Sequence, residues 1–198
     1  MTSRNLRAIL GGGIGSGKST AGRILRERGI HVIDADLVGH EVLAGPASAM
    51  VAERWPDAVR DGRIDRAALA RIVFSAPARL HELEEMVHPL IRRRIREEAG
   101  AIDAPVVVEV PLPGDFLGPG WHRVVLDAPD RVRIERLLGR GMPAGEIVRR
   151  MAAQPTREEW LRDADEVIDN SGSIEELAGA LAAWWRRATI PGDPRPGT

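Results

Sequence analysis

One short stretch near the start constrains the fold more than anything else in the chain. Leu6 to Leu10 is an apolar run that ends in glycines and reads as a buried strand. Helical spacing follows from Ser19 to about Arg28, with Ile24 and Leu25 on one face and Gly29 as the C-cap. Between them stands Gly12-Gly13-Ile14-Gly15-Ser16-Gly17-Lys18-Ser19, which fits G-x-x-x-x-G-K-[ST] in full and in the right context. The residue types suit phosphate binding. Glycines allow backbone angles that turn successive N–H groups toward one point. The helix N-terminus adds its positive dipole end. Lys18 brings a compact charge to the β- and γ-phosphates of ATP, and the Ser19 hydroxyl suits Mg²⁺, a hard cation. Gly13, Gly15, Ser16, Gly17, Lys18, Ser19 and Thr20 are therefore the candidate ATP-binding residues, with Ser19 the candidate metal ligand.

Composition sharpens this reading. Among 28 basic residues Lys18 is the only lysine, so a chain that otherwise uses arginine has placed its lysine in the one loop that needs a point charge. Cysteine and tyrosine are absent, which removes disulfides, thiolate metal sites, cysteine nucleophiles and phenol catalysis. A net charge of -1 gives no global field for nucleic acid. No stretch approaches the ~20 apolar residues of a membrane span, and Met1 to Arg7 lacks the apolar core of a signal peptide. The expectation is a soluble cytoplasmic protein with small-molecule partners, neither nucleic acid nor membrane.

His31 to Asp34 reads as a second strand, so strand, helix and strand form a βαβ unit and predict a parallel sheet. From Leu37 to about Gly100 the patterns are helical with almost no strand signal. Strands return at Val106–Val110 and Val124–Leu126, and a helix is predicted from Arg131 to about Leu138. Glu146 to Arg162 reads as an arginine-rich helical stretch. Val167–Ile168 is a last strand, and Ile174 to Arg187 an amphipathic closing helix. The Pro/Gly-rich tail 191–198 reads as disordered.

A phosphate loop alone does not name the acceptor. Guanine-specific switch GTPases need a second lysine in an Asn/Thr-Lys-x-Asp element, which this chain lacks. Asp127, after the strand Val124–Leu126, is either a Mg²⁺-side carboxylate or an ordinary strand end, with the second reading preferred. Asp34 and Asp36 close the second strand, and strand periodicity points both to one side if the extended form persists. Ligands bind beyond the carboxyl ends of such strands, so these two are expected to flank the phosphate loop. One could take a proton from an attacking hydroxyl and the other order metal-bound water; the bland alternative is a helix N-cap, which suits Asp36 in particular. Arg136, Arg140, Arg149, Arg150 and Arg157 are either cations that close over ATP or a solvated helix face. His88-Pro89 is expected to mark a helix boundary before the basic run Arg92-Arg93-Arg94.

Several segments in this order resemble the dephospho-coenzyme A kinase family over about residues 6–188. They are the loop Gly12 to Thr20, Ile33-Asp34-Ala35-Asp36, Gly62 to Arg66 with Leu69 and Phe74, His88-Pro89-Leu90-Ile91, Gln154-Pro155-Thr156-Arg157 and Val167 to Gly172. The resemblance implies an α/β fold: a parallel-sheet P-loop kinase core at 1–36 and 101–190, a helical acceptor-binding insertion at 37–100 and a helical lid at 139–160. It implies ATP- and Mg²⁺-dependent phosphorylation of the ribose 3′-hydroxyl of dephospho-coenzyme A. It makes Asp36 the base, Arg140 a lid arginine at the ATP phosphates and Asn170 a residue near the adenine. Asp34, His88 and Arg92 fall on the acceptor side. The chain departs from the family's pattern at Pro113-Gly114-Asp115, where Leu-x-Glu is usual. It departs again at Gly11, where threonine is usual, and at Gly45-Pro46, where the usual order is reversed. These departures leave open a related kinase acting on another nucleotide or small alcohol.

Overall fold

The glycine-rich loop joins two elements that the computed structural model places where the sequence predicts them. The structure describes residues 6–189; the readings at 1–5 and at the tail 191–198 lie outside the described residues. Strand β1 (Arg7–Gly11) is buried along most of its length and runs into the loop. Helix α1 (Lys18–Glu27) buries Ala21, Gly22, Ile24 and Leu25, and ends at Gly29, where φ is 77° and Ile30 N–H reaches back to Leu25 O. Strand β2 (His31–Asp34) follows.

Next come α2 (Ala35–Ala44), α3 (Ser48–Arg54), a 3₁₀ turn at Pro56–Ala58, a two-strand hairpin of β3 (Val59–Arg60) and β4 (Arg63–Ile64), α4 (Arg66–Val73) and α5 (Pro77–Gly100). The hairpin was not expected. Its strands have two residues each, too few for any period to register, and its turn holds Asp61 and Gly62 at positive φ. The boundary expected at His88-Pro89 is also absent, because Pro89 lies inside α5. Val87, Ile91, Ile95 and Ala99 recur every four residues and are all buried, so one continuous apolar stripe carries the helix through the proline.

The remaining elements are β5 (Val106–Glu109), β6 (His122–Asp127), α6 (Asp130–Gly139), α7 (Ala144–Ala152), α8 (Arg157–Arg162), β7 (Glu166–Asp169) and α9 (Ile174–Thr189). The predicted helical stretch 146–162 is two helices. Pro155 interrupts it, and Thr156 restarts it with a capping box to Glu159.

The five main strands lie in the order β2-β5-β1-β6-β7, with β1 parallel to β5 and β6, and β6 parallel to β7. The unit β1-α1-β2 therefore skips a position, which β5 fills. Leu10 pairs with Glu109, Gly11 with Val125, and Asp127 with Asp169, so one edge of the sheet gathers the phosphate loop and several strand-end carboxylates. Ala8, Leu10, Leu25, Val107, Val124, Leu126, Leu181 and Trp184 are among the buried residues of the core behind it. The chain divides into two units. One comprises the chain up to Ile33 and from Ala99 onward, and the other is Asp34–Glu98.

Candidate active site

The phosphate loop is held open by its glycines and braced from outside. Gly12, Gly15 and Gly17 have φ of 139°, 79° and 102°, values that any side chain would strain. Gly17 caps α1 without a side chain, which leaves the helix N-terminus to an anion. A Cβ at Gly17 would come within 2.2 Å of the Asn170 side-chain nitrogen. Asn170 is buried, donates to Ser16 O at 2.7 Å, and is itself held by its own N–H on Asp127 O at 2.7 Å. On the other flank Arg133 is buried: its Nε donates to Ile14 O at 2.8 Å, and its Nη1 pairs with Asp130 at 2.9 Å. A Cβ at Gly13 would come within 2.4 Å of the Arg133 Nη2. The Lys18 ammonium hydrogen-bonds Gly12 O and lies 5.9 Å from the centre of the Trp160 ring.

Ser19 is exposed, and its hydroxyl donates to Glu109 Oε1 at 2.9 Å. Glu109 ends β5 beside the loop strand and is buried, and Gly22 makes room for it: a Cβ there would meet Glu109 Oε2 at 2.9 Å. A hydroxyl next to a carboxylate is an all-oxygen donor set that fits Mg²⁺. Among the described residues no group of three or more His, Cys, Asp or Glu is placed to hold a metal ion. Asp127 is committed elsewhere. Its carboxylate forms a fork with Arg157, with Nε bonds of 2.9 and 3.1 Å, and this raises the Arg157 pKa above its ordinary value through hydrogen bonding and charge.

The segment after α7 is fastened to the loop. Gln154 Oε1 accepts the Ile14 N–H at 2.7 Å. Trp160 is buried, and a Cβ at Gly11 would stand 3.2 Å from its ring. Arg140 caps α6 with its backbone, is exposed, and forms no ion pair among the described residues. Arg150 pairs with Glu146 on α7, and Arg136 donates to Gly172 O.

In the second unit the two aspartates part company. The strand ends at Asp34 and a helix begins at Ala35, so the extended form does not persist and the two carboxylates do not share a strand face. Asp34, not Asp36, is the N-cap of α2: its Oδ1 accepts Asp36 N–H at 2.9 Å and Leu37 N–H at 3.2 Å. Asp36 sits exposed in the first turn. His88 is half-buried; burial pushes its pKa below the ordinary 6.5, and the Arg92 charge adds to this against Glu84. Arg92 Nε donates to His88 O at 3.3 Å.

The family model described as dephospho-CoA kinase matches residues 8–176. The chain belongs to the dephospho-CoA kinase family. The dephospho-CoA kinase of Streptomyces avermitilis is 42% identical over 201 residues, covering 95% of this chain and 98% of its own. That of Frankia casuarinae is 40% identical over 185 residues, covering 89% and 81%. A crystal structure of a Thermus thermophilus protein superposes with a TM-score of 0.78 at 38% identity, covering 94% of this chain and all of its own. The fold is that of a P-loop kinase, and the family's activity is phosphoryl transfer from ATP to dephospho-CoA.

Within this dephospho-CoA kinase family member, two of the departures noted in the sequence fall together. Gly11 and Pro113 line one small cavity with Gly114 and Trp160. Glu109, Arg133 and Trp160 were not singled out from the sequence, and Gln154 entered only as the first residue of the family-like segment Gln154-Pro155-Thr156-Arg157. Glu109 sits inside an apolar run, and Arg133 and Trp160 look like ordinary helix residues until the chain is folded. No helix among the described residues is long and apolar enough to cross a membrane.

Proposed function

We propose that Asp36 takes the proton from the ribose 3′-hydroxyl of dephospho-CoA as that oxygen attacks the γ-phosphorus of ATP. The bond to the bridging oxygen breaks, its electrons stay on ADP, and coenzyme A leaves with the new phosphate. Lys18 and the loop N–H groups hold the β- and γ-phosphates, and Arg140 brings positive charge to where negative charge builds up in transfer. Ser19, with Glu109 behind it, would hold Mg²⁺, which neutralises phosphate charge. Asn170 keeps the loop in shape. Asp34 sets the turn that carries Asp36, while His88 and Arg92 serve the acceptor side. The observation that supports this most is the Ser19–Glu109 hydrogen bond beside a glycine-opened loop, a hydroxyl and a carboxylate where a metal-nucleotide needs them.

The alternative acceptor raised by Pro113-Gly114 has a simpler explanation. Gly114 takes a φ of 76°, which glycine adopts without strain, so a bend in this loop accounts for the pair and the acceptor need not change. An acceptor panel tests this. With saturating Mg-ATP, kcat/KM for dephospho-CoA is expected to exceed that for AMP, adenosine and simple alcohols by at least about 100-fold. Another acceptor within tenfold of dephospho-CoA would overturn the assignment.

A further inference from the structure

Gln154 lies in the turn between α7 and α8, within the implied lid, and the resemblance names it only as part of a segment, with no contact of its own. Its Oε1 accepts the Ile14 N–H at 2.7 Å, while Arg133 Nε holds the Ile14 carbonyl at 2.8 Å. One residue of the phosphate loop is thus gripped at both its N–H and its C=O, once from α6 and once from the turn. Because the Ile14 nitrogen is a donor, the glutamine must face it with oxygen, and its other end is an amino group with two donors. The loop's N–H groups converge on the place where phosphate oxygens bind, so a side chain hydrogen-bonded to one of them stands at the mouth of that site. The turn is also anchored. Arg157 forks onto Asp127, and Trp160 packs against Gly11.

We propose that Gln154 is a further catalytic contact to the transferring γ-phosphoryl group. Its oxygen is fixed on the Ile14 N–H, and its amino group donates to a γ-phosphate oxygen, which joins the α7–α8 turn to the nucleotide only when ATP, not ADP, is bound. This rests on the reading that the glycine loop binds ATP.

The test is binding of Mg-ATP and Mg-ADP to the wild type, Gln154→Ala and Gln154→Glu by titration calorimetry. Loss of a hydrogen bond to a charged group is expected to weaken ATP binding by about 10- to 100-fold in Gln154→Ala, with ADP within about twofold. Gln154→Glu keeps an acceptor for Ile14 but loses the donor and adds negative charge, so it should weaken ATP binding at least as much as alanine does. Retained ADP binding shows that each variant is folded with an intact loop. A glutamate variant that binds ATP like the wild type would mean the Ile14 contact is the whole role. Equal loss of ATP and ADP would mean that the side chain only shapes the loop. Either result overturns the proposal while leaving the ATP site in place, whereas a wild type that binds neither nucleotide overturns the ATP-site reading itself.

Discussion

Lys18→Ala is expected to lower kcat by about 1,000-fold or more while the thermal midpoint and circular dichroism stay close to wild type. The upper range for removing one preorganised charge from a transition state is of this order. In this loop the ammonium has no nearby substitute, since the chain carries no other lysine and Arg133 is already bound to Ile14 and Asp130. The ammonium hydrogen-bonds the Gly12 carbonyl and lies outside the apolar core, so its removal costs little folding energy. Lys18→Arg should fail nearly as badly. A planar fork is wider than a compact ammonium and cannot bring the same point charge to the phosphates. An alanine variant that keeps more than a tenth of the wild-type kcat would remove Lys18 from the mechanism.

Asp36→Asn is expected to lower kcat by at least about 100-fold, the usual scale for losing a general base, with the Kd for Mg-ATP within about twofold. The matched control is Asp34→Asn. Asparagine caps helices about as well as aspartate, so the two N–H bonds that Asp34 accepts at the start of α2 survive the change, and the loss should be within about threefold. The pair separates chemistry from capping at two neighbouring positions. If Asp34→Asn proves the more damaging, the base is Asp34 and the roles proposed for the two carboxylates are exchanged.

Much of this fold was legible because its signals are local. The strand–loop–helix around Lys18, the strand before Asp34 and the amphipathic α9 each follow from a period or a fixed spacing of residue types. Other parts were not legible, for definite reasons. The propensity of His88-Pro89 to end a helix lost to the four-residue stripe Val87, Ile91, Ile95 and Ala99, which is buried as one surface. Asp34 and Asp36 were read with a strand period that stops at Asp34, because the Asp34 side chain itself starts the next helix. Glu109 could not be told from a strand residue, since its meaning comes from pairing beside Leu10 and from the space left by Gly22 on α1. Trp160 and Gly11 are 149 positions apart, so the absence of a side chain at one and the bulk of the other explain each other only in three dimensions.

The most direct measurement is the identity of the phosphorylated product. Purified protein is incubated with Mg-ATP and dephospho-CoA, and the nucleotide products are separated, weighed by mass spectrometry and examined by phosphorus NMR. One ADP should appear for each coenzyme A, with a single added phosphate as a monoester on the ribose 3′-oxygen and none on the 2′-oxygen or the pantetheine end. ADP released without a phosphorylated acceptor, or a phosphate on any other oxygen, would contradict the assignment of this chain's chemistry.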